Sequence, residues 1–435
     1  MENPADCGRT AASMDALRIT GNKRLAGRVQ VSGSKNTALP FLFASLLFDQ
    51  EVAFENVPRL WDVETTLKLL QEMGCEYQWD KEQGRVRILP RVRQKTASYD
   101  WVKKMRAGIL ALGPLVAKFG EARVSLPGGC AIGARPVNFH LEALKRLGAQ
   151  VEVEEGYILA SVPSRLKGCS IVFPEVSVTG TENVLFWGAF AEGETVIENA
   201  AQEPEVVALG KLLQSFGARI EGLGTSVVKL VGGPLRAPQQ SISIPSDRIE
   251  TGTWISIAMA TQSALEITHA AGAELGSVLK AFRQMGLGIE EQEQGRILKI
   301  TPGESYEAVA VETEPYPGFP TDMQAQVLVN MCQSQGVSHM RENIFENRFM
   351  HVAELRRLGA RIETEGNLAR VEGLTRLKGA PMMATDLRAS ASLVVAALMA
   401  EGTSTISRIY HLDRGYDRLD LKLQNLGADV TRVAQ

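Results

Sequence analysis

The stretch LKLLQEMGCEYQW (residues 67–79) decides the fold, because it is the first of six copies of one pattern. An amphipathic helix ends at a glycine, and a short strand of alternating polar and apolar residues follows. Val63, Leu67, Leu70 and Met73 fall on one helical face. The later copies are LEALKRLGAQVEV (141–153), GKLLQSFGARIEG (210–222), LKAFRQMGLGIEE (279–291), VAELRRLGARIET (352–364) and LKLQNLGADVTRV (421–433).

The glycines of the six copies are 74, 69, 69, 73 and 68 residues apart: Gly74, Gly148, Gly217, Gly286, Gly359 and Gly427. A second element precedes each copy, and three examples align well over residues 27–57, 167–200 and 378–409. Each reads as a strand, a polar turn, an apolar helix and a strand. The repeating unit is therefore predicted to be strand–helix–strand–helix–strand–strand, an α/β unit. A solenoid is the alternative, but solenoid repeats are usually shorter and more numerous.

Length and composition narrow the class of protein. A chain of 435 residues favours two domains, and a net charge of 47 − 50 = −3 gives no general reason to expect a nucleic-acid or acidic-membrane partner. The longest apolar runs, 39–48 and 393–400, fall short of the ~20 residues of a membrane span. Residues 1–16 resemble a disordered leader without the apolar core of a secretory signal. The five cysteines are scattered, so we expect no disulfide framework or zinc site and a reducing compartment.

Polar turns open several of the predicted helices, as at 34–36, 179–181 and 388–390. Free N–H groups at such helix ends suit anions, although Ser, Thr and Asn also serve as simple N-caps. The N-cap interpretation is favoured for the Thr and Ser turns. Lys35, beside Asn36, adds a fixed positive charge, so a functional role is favoured there.

The loop LPGGCAIGARP (126–136) is the most unusual stretch of the sequence. Its glycines leave the Cys130 thiol open to approach, and the nearby guanidinium of Arg135 favours the thiolate. A small buried cysteine in a turn is the alternative. No clear histidine partner accompanies Cys130, since His140 suits a capping or polar-face role equally well, so a cysteine hydrolase is poorly supported.

Arginines recur in segments that read as turns, at Arg106, Arg135, Arg348 and Arg414. Together with Lys35 they suggest a site for phosphate or carboxylate groups, which the planar guanidinium binds with two hydrogen bonds. Asp322, in a turn bracketed by prolines, could serve as a general base or as an N-cap, for which Thr321 competes; Asp386 is equally ambiguous. Metal-binding and nucleotide motifs such as HExxH and GxxxxGK[ST] are absent from the sequence.

With these residues, the chain from 17 to 435 closely resembles the enolpyruvyl transferases, in the branch that acts on UDP-N-acetylglucosamine. Eight stretches carry the resemblance: VSGSKNTALP (31–40), LPGGCAIGARPV (126–137), NAAQEPEVV (199–207), DRIETGTW (247–254), FPTDMQAQ (319–326), FENRFMHV (345–352), TDLRAS (385–390) and YHLDRGYDR (410–418). The resemblance implies an inverted α/β barrel pair with three units in each of two domains. Domain one would comprise 17–34 and 246–435, domain two 35–245, and the active site would lie in the cleft between them.

The resemblance also implies transfer of the enolpyruvyl group of phosphoenolpyruvate to the 3-hydroxyl of UDP-N-acetylglucosamine, the first committed step of peptidoglycan synthesis. Lys35, Asn36, Arg135 and Arg414 would contact phosphoenolpyruvate, Cys130 would donate a proton and form a covalent adduct, and Asp322 would be the base. The UDP-sugar would contact a larger set: Asn36, Arg106, Arg135, Pro136, Val137, Asn138, Phe139, Ser177, Val178, Asp322 and Ile344. No metal or organic cofactor, nucleic acid or membrane partner is implied, and a cytoplasmic monomer is expected.

The sequence departs from the family pattern at three places. Glu175 stands where some members have lysine, Thr179 replaces a common glycine, and residues 1–15 have no counterpart. The nearest rival is a shikimate-3-phosphate enolpyruvyl transferase, but that branch lacks the cysteine loop. RNA 3′-phosphate cyclases share a related unit but need a histidine nucleophile that nothing here supports. A non-catalytic UDP-sugar-binding paralogue is a rival of another class, although Lys35, Cys130, Asp322 and Arg414 all stand in their motifs.

Overall fold

The computed structural model describes residues 15–128 and 137–434. Cys130, Arg135 and Pro136 lie outside the described residues, as do residues 1–14 of the predicted leader. The first strand begins at Asp15, so the predicted leader was two residues too long, because Asp15 and Ala16 pair with the last strand of the chain.

The described residues form thirteen α-helices and five short 3-10 helices. The α-helices are α1 (Lys35–Ala44), α2 (Trp61–Glu72), α3 (Tyr99–Val102), α4 (Leu112–Phe119), α5 (Asn138–Arg146), α6 (Val178–Gly188), α7 (Pro204–Ser215), α8 (Arg248–Ala260), α9 (Gly276–Gln284), α10 (Thr321–Met331), α11 (His351–Arg357), α12 (Leu387–Met399) and α13 (Leu419–Asn425). The 3-10 helices span Ser45–Leu47, Arg106–Ala111, Gly272–Glu274, Glu293–Gly295 and Ile409–Arg414.

Twenty-four strands accompany the helices in the described residues. They are β1 (Asp15–Thr20), β2 (Gly27–Gln30), β3 (Val52–Glu55), β4 (Glu76–Asp80), β5 (Arg85–Leu89), β6 (Thr96–Ala97), β7 (Glu121–Ser125), β8 (Gln150–Glu154), β9 (Tyr157–Ser161), β10 (Ser170–Val172), β11 (Glu194–Glu198), β12 (Arg219–Glu221), β13 (Val227–Val231), β14 (Ile242–Ser243), β15 (Leu265–Thr268), β16 (Gly288–Gln292), β17 (Ile297–Thr301), β18 (Ala310–Glu312), β19 (Val337–Arg341), β20 (Arg361–Glu365), β21 (Leu368–Glu372), β22 (Pro381–Met383), β23 (Thr403–Ser407) and β24 (Asp429–Ala434).

The strands form six four-stranded sheets of one design. Their orders are β14-β3-β5-β4, β6-β7-β9-β8, β10-β11-β13-β12, β16-β17-β15-β2, β18-β19-β21-β20 and β22-β23-β1-β24. Each sheet has one parallel pair and two antiparallel pairs, as in β10-β11-β13-β12. The parallel pair of that sheet is joined through α6, a strand–helix–strand crossover. The predicted six copies of one strand–helix–strand–helix–strand–strand unit are confirmed.

The chain divides into two compact units of three sheets each. Of the described residues, unit one contains those up to Val31, Ile249–Thr313 and those from Thr321 onward, and unit two contains those within Ser32–Arg248 and Glu314–Pro320. The segment 314–320 therefore belongs to unit two, whereas the sequence prediction assigned every residue from 246 onward to domain one. None of the helices in residues 15–128 and 137–434 is long and apolar enough to cross a membrane.

The six repeated glycines end their helices as predicted. All six have a positive φ, between +93° for Gly427 and +108° for Gly217. The N–H of the residue after each glycine bonds to the carbonyl five residues earlier, as in Cys75 to Leu70 and Ala428 to Leu423. This is the Schellman arrangement, which turns the chain out of the helix and into the next strand.

One helix of each copy is buried on nearly all sides. Residues 180–188 of α6 are all buried, as are residues 388–398 of α12. Because these helices expose almost no surface to solvent, they form the centre of their unit, and the sheets pack around them. Polar and charged side chains of these helices are found mainly in their first turns, as in α1 and α12. We therefore expect a site at those turns.

The positive φ of Gly427 allows a direct test of this capping. An added Cβ would meet no atom within 4 Å, so Gly427→Ala should lower the free energy of unfolding of unit one through backbone strain alone, by about 1–2 kcal/mol. Gly276→Ala is the control, because Gly276 has no positive φ and also has open space around it. Chemical denaturation of both variants checks this, and equal midpoints would contradict the capping role.

Candidate active site

Lys35 stands at the start of α1 in unit two. Ser34 caps this helix, because its side chain accepts a hydrogen bond from the Thr37 N–H at 3.3 Å. The Lys35 N–H donates to Asp247 at 3.1 Å, and its ammonium lies 3.4 Å from the buried carboxylate of Asp62. The side chains of Lys35 and Asp62 are 14% and 4% exposed, so the ammonium is held in one place. A localised cation at a helix N-terminus suits an anionic ligand.

Asn36 follows Lys35 and contacts a buried ion pair. Its amide lies 3.5 Å from the Glu205 carboxylate. Glu205 also accepts hydrogen bonds from Nε and Nη2 of Arg248, both at 3.2 Å. The Arg248 guanidinium lies over the ring of Tyr316 at 5.7 Å. The amide of Asn36 is therefore oriented by residues from three separate stretches of the chain.

Two further glutamates surround Glu205. Burial raises the pKa of Glu182 well above its ordinary range, and the nearby Glu205 and Glu203 raise it further. Burial and Glu205 also raise the pKa of Glu203. Burial and the neighbouring carboxylates therefore both disfavour the ionised forms of Glu182 and Glu203.

The predicted UDP-sugar contacts of unit two lie at the starts of other helices. Arg106 begins the 3-10 helix that leads into α4. Val137 precedes α5, while Asn138 and Phe139 are its first two residues. Phe139 makes an edge-on contact with Phe173, with ring centroids 6.3 Å apart. Helix α6 begins at Val178 and Ser177 is its N-cap, accepting from the Gly180 N–H at 3.2 Å.

Asp322 is the second residue of α10 in unit one, and two arginines hold its carboxylate. Arg348 Nη2 donates to Oδ1 at 2.9 Å, while Nε and Nη2 of Arg388 donate to Oδ2 at 3.0 and 2.9 Å. Both guanidinium groups are buried, whereas the Asp322 side chain is 28% exposed. Two buried cations therefore orient the carboxylate, which remains partly exposed to solvent. Its helix begins at Thr321, so Asp322 lies inside the first turn.

Asp386 has the simpler of the two roles that the sequence allowed. Its side chain caps α12 by accepting from the N–H groups of Arg388 and Ala389, both at 3.0 Å. Because that cap fixes the first turn of α12, it also fixes the backbone that carries Arg388.

The buried Glu342 organises the segment that contains Ile344. Its carboxylate accepts from the N–H groups of Ile344 and Phe345 at 2.9 and 3.1 Å, and from the Thr321 hydroxyl at 2.9 Å. Thr313 donates to it at 3.0 Å. Glu342 therefore links the Ile344 segment to the start of α10, next to Asp322.

Arg414 ends the 3-10 helix Ile409–Arg414. Its neighbour Asp413 accepts two hydrogen bonds from Arg432 at 2.8 and 2.9 Å, and Arg432 also donates to Asp420 at 3.2 Å. These hydrogen bonds, led by those to Asp413, raise the pKa of Arg432 above its already high ordinary value. The hydrogen bonds between Arg432 and Asp413 therefore hold the segment that contains Arg414 against β24.

The structure brings together residues that the sequence placed in different motifs. Arg348, expected among the anion-binding arginines, pairs with Asp322. Arg388 and Glu205 were not predicted as site residues, although both lie in stretches that carry the family resemblance, and Glu342 lies outside all of those stretches. In the described part of the chain, no three His, Cys, Asp or Glu side chains are grouped as metal ligands.

Comparison with known proteins gives the relationship directly. Residues 19–423 match the family described as EPSP synthase (3-phosphoshikimate 1-carboxyvinyltransferase). The chain is 51% identical over 422 residues to a UDP-N-acetylglucosamine 1-carboxyvinyltransferase of Nitratidesulfovibrio vulgaris, covering 97% of this chain and 100% of that one. The enzyme of that name from Aeromonas hydrophila is 50% identical over 421 residues, with the same coverage.

Solved structures confirm the predicted enolpyruvyl transferase fold. The enolpyruvyl transferase NikO from Streptomyces tendae matches with a TM-score of 0.86 at 24% identity, and EPSP synthase from Acinetobacter baumannii with 0.74 at 19%. Each match covers 97% of this chain and 100% of the other. At these identities the structural similarity establishes only the fold. The relatives that are about 50% identical identify the branch of the family to which the chain belongs. The chain therefore belongs to the EPSP synthase family of enolpyruvyl transferases, in the branch of the UDP-N-acetylglucosamine 1-carboxyvinyltransferases.

Proposed function

We propose that this protein transfers the enolpyruvyl group of phosphoenolpyruvate to the 3-hydroxyl of UDP-N-acetylglucosamine and releases phosphate. The observation that carries the proposal is the identity of about one half to enzymes of that name over essentially the whole of both chains. The charged turns described above supply the residue types that the reaction needs. This would be the first committed step of peptidoglycan synthesis, carried out by a cytoplasmic monomer that needs no cofactor.

Phosphoenolpyruvate carries up to three negative charges, so several cations must gather around it. Lys35, Arg135 and Arg414 are the proposed contacts, and Asn36 completes them. The Asp62 carboxylate keeps the Lys35 ammonium in place at 3.4 Å. Arg414 stands on a segment held by the Arg432–Asp413 pair. Cations fixed in advance cost little reorganisation when the substrate binds.

The reaction itself is an addition followed by an elimination. Cys130 protonates the methylene carbon of phosphoenolpyruvate, and C2 becomes open to attack by the sugar 3-hydroxyl oxygen. Asp322 takes the hydroxyl proton, which leaves a phospholactyl ketal. The Cys130 thiolate then takes a proton back from the new methyl group as phosphate leaves C2, which restores the double bond and the thiol. Cys130 also forms the covalent adduct with phosphoenolpyruvate.

Asp322 has the surroundings that such a base requires. Its carboxylate accepts three hydrogen bonds from two buried guanidinium groups, which hold it in a fixed direction. The Asp322 side chain is 28% exposed, and the proposed approach of the sugar hydroxyl is from the solvent side. Ile344 lies on a segment tied to the start of the same helix through Glu342, which supports a sugar contact there.

A phosphate-release assay with both substrates tests the proposed function. We expect phosphate in step with a UDP-sugar product that is heavier by one enolpyruvyl group. Tight binding of UDP-N-acetylglucosamine without any phosphate would favour a non-catalytic binding paralogue. Phosphate released only with shikimate-3-phosphate as acceptor would favour the other branch of the family.

Asp322→Asn should lower turnover by about 10²–10⁴-fold, because an amide cannot take the hydroxyl proton. UDP-N-acetylglucosamine binding, measured by calorimetry, should change far less, since the shape of the side chain is kept. Asp429→Asn is the matched control, because Asp429 is an exposed aspartate in the same unit. Equal losses of turnover and binding would show that Asp322 only binds substrate.

Fosfomycin should inactivate the enzyme and add its mass to the peptide that contains Cys130. Two other cysteines serve as internal controls, since burial raises the pKa of the Cys75 and Cys332 thiols to about 12. These thiols should stay unmodified in the same peptide map. An active Cys130→Asp variant that remained fully sensitive to fosfomycin would remove Cys130 from the mechanism.

A further inference from the structure

His140 is a buried imidazole that the proposed mechanism does not use. It is the third residue of α5, the helix that follows residues 129–136, and only 3% of it is exposed. Its Nδ1 lies 2.8 Å from the side-chain nitrogen of Asn183, and its Nε2 lies 3.3 Å from the Thr179 hydroxyl. Both partners belong to α6.

These contacts determine where the proton of the ring sits. The Asn183 nitrogen also donates to the carbonyl of Ile109 at 3.3 Å, which fixes the orientation of the amide. An amide nitrogen only donates, so Nδ1 of His140 accepts and Nε2 carries the hydrogen that bonds to Thr179. Burial, with a smaller contribution from Arg106, lowers the pKa of His140 to about 4. The ring is therefore neutral near pH 7.

The side chain of Asn183 is also held in place by its surroundings. It is completely buried, and its Oδ1 would lie only 2.6 Å from a Cβ added at Gly113. The absence of a side chain at Gly113 is what lets α4 approach the amide so closely. The contact thus depends on tight packing of α4 against α6, which does not tolerate a shift of either helix.

The network joins three segments that carry proposed UDP-sugar contacts. Ile109 lies on the 3-10 helix that Arg106 begins, His140 follows Asn138 and Phe139 in the first turn of α5, and Thr179 follows Ser177 and Val178.

We propose that His140 is a positioning residue for the UDP-sugar, acting by holding the Ser177–Thr179 turn in register with the starts of α5 and the Arg106 helix. The inference rests on the proposed function, because it concerns the substrate that those segments would bind. His140 itself touches neither substrate. Its effect passes through Thr179 on one side and Asn183 on the other.

Thr179→Val tests the proposal with little risk to folding, since it removes one hydroxyl from a partly buried position and keeps the shape. We expect the KM for UDP-N-acetylglucosamine to rise about 5- to 10-fold, the worth of one hydrogen bond. The kcat and the KM for phosphoenolpyruvate should stay within about twofold. Thr179→Ser should restore the wild-type KM, and Thr364→Val, at an exposed threonine of unit one, should change nothing.

His140→Leu removes both hydrogen bonds and should raise the same KM at least as far, whereas His140→Gln, which can still donate to Thr179, should recover part of the loss. Calorimetric binding of UDP-N-acetylglucosamine alone should follow the KM values. An unchanged KM in Thr179→Val, or a parallel loss of kcat and of both KM values, would overturn the inference. Inactivity of the wild-type protein with both substrates would instead overturn the proposed function.

Discussion

The structure depends on the burial of one apolar helix in each repeat. A helix such as α6 or α12 has no face exposed to solvent in the folded unit, and a single four-stranded sheet covers only one side of it. A copy on its own would leave the helix in water, at a cost of about 25 cal/mol for each Å² of apolar surface. Three copies together surround their helices, and each unit has three sheets. The repeated glycines serve this packing, because they return the chain from the helix to the sheet.

This arrangement leaves the first turns of the buried helices as places where the copies can differ. Lys35, Arg248 and Arg388 all stand in such turns, although a cation at a helix N-terminus opposes the helix dipole. Each is offset by a carboxylate from another stretch of the chain: Asp62, Glu205 and Asp322 respectively. These turns therefore place a positive charge where the helix dipole disfavours it, and a nearby carboxylate compensates for that charge.

The sequence predicted the parts of the molecule that follow from periodicity and local chemistry. The six glycines, the strand after each and the order of elements within a repeat were all found in the structure. The pairing of Asp322 with Arg388 could not be predicted, because it joins residues 66 positions apart whose meeting depends on how two copies pack. The same holds for His140, which the sequence left as a capping or polar-face residue. Its proposed role follows only from its contacts with Thr179 and Asn183 of α6.

Cys130, Asp322 and the cations around phosphoenolpyruvate are proposed to carry out an addition followed by an elimination. The most direct measurement is the reaction of phosphoenolpyruvate and UDP-N-acetylglucosamine in D₂O, followed by mass spectrometry of the product. Addition places a solvent deuteron on the methylene carbon, and elimination from the freely rotating methyl group leaves part of it behind. Deuterium is therefore expected in the vinyl group of the product. A product formed at full rate without deuterium in that group would contradict this mechanism.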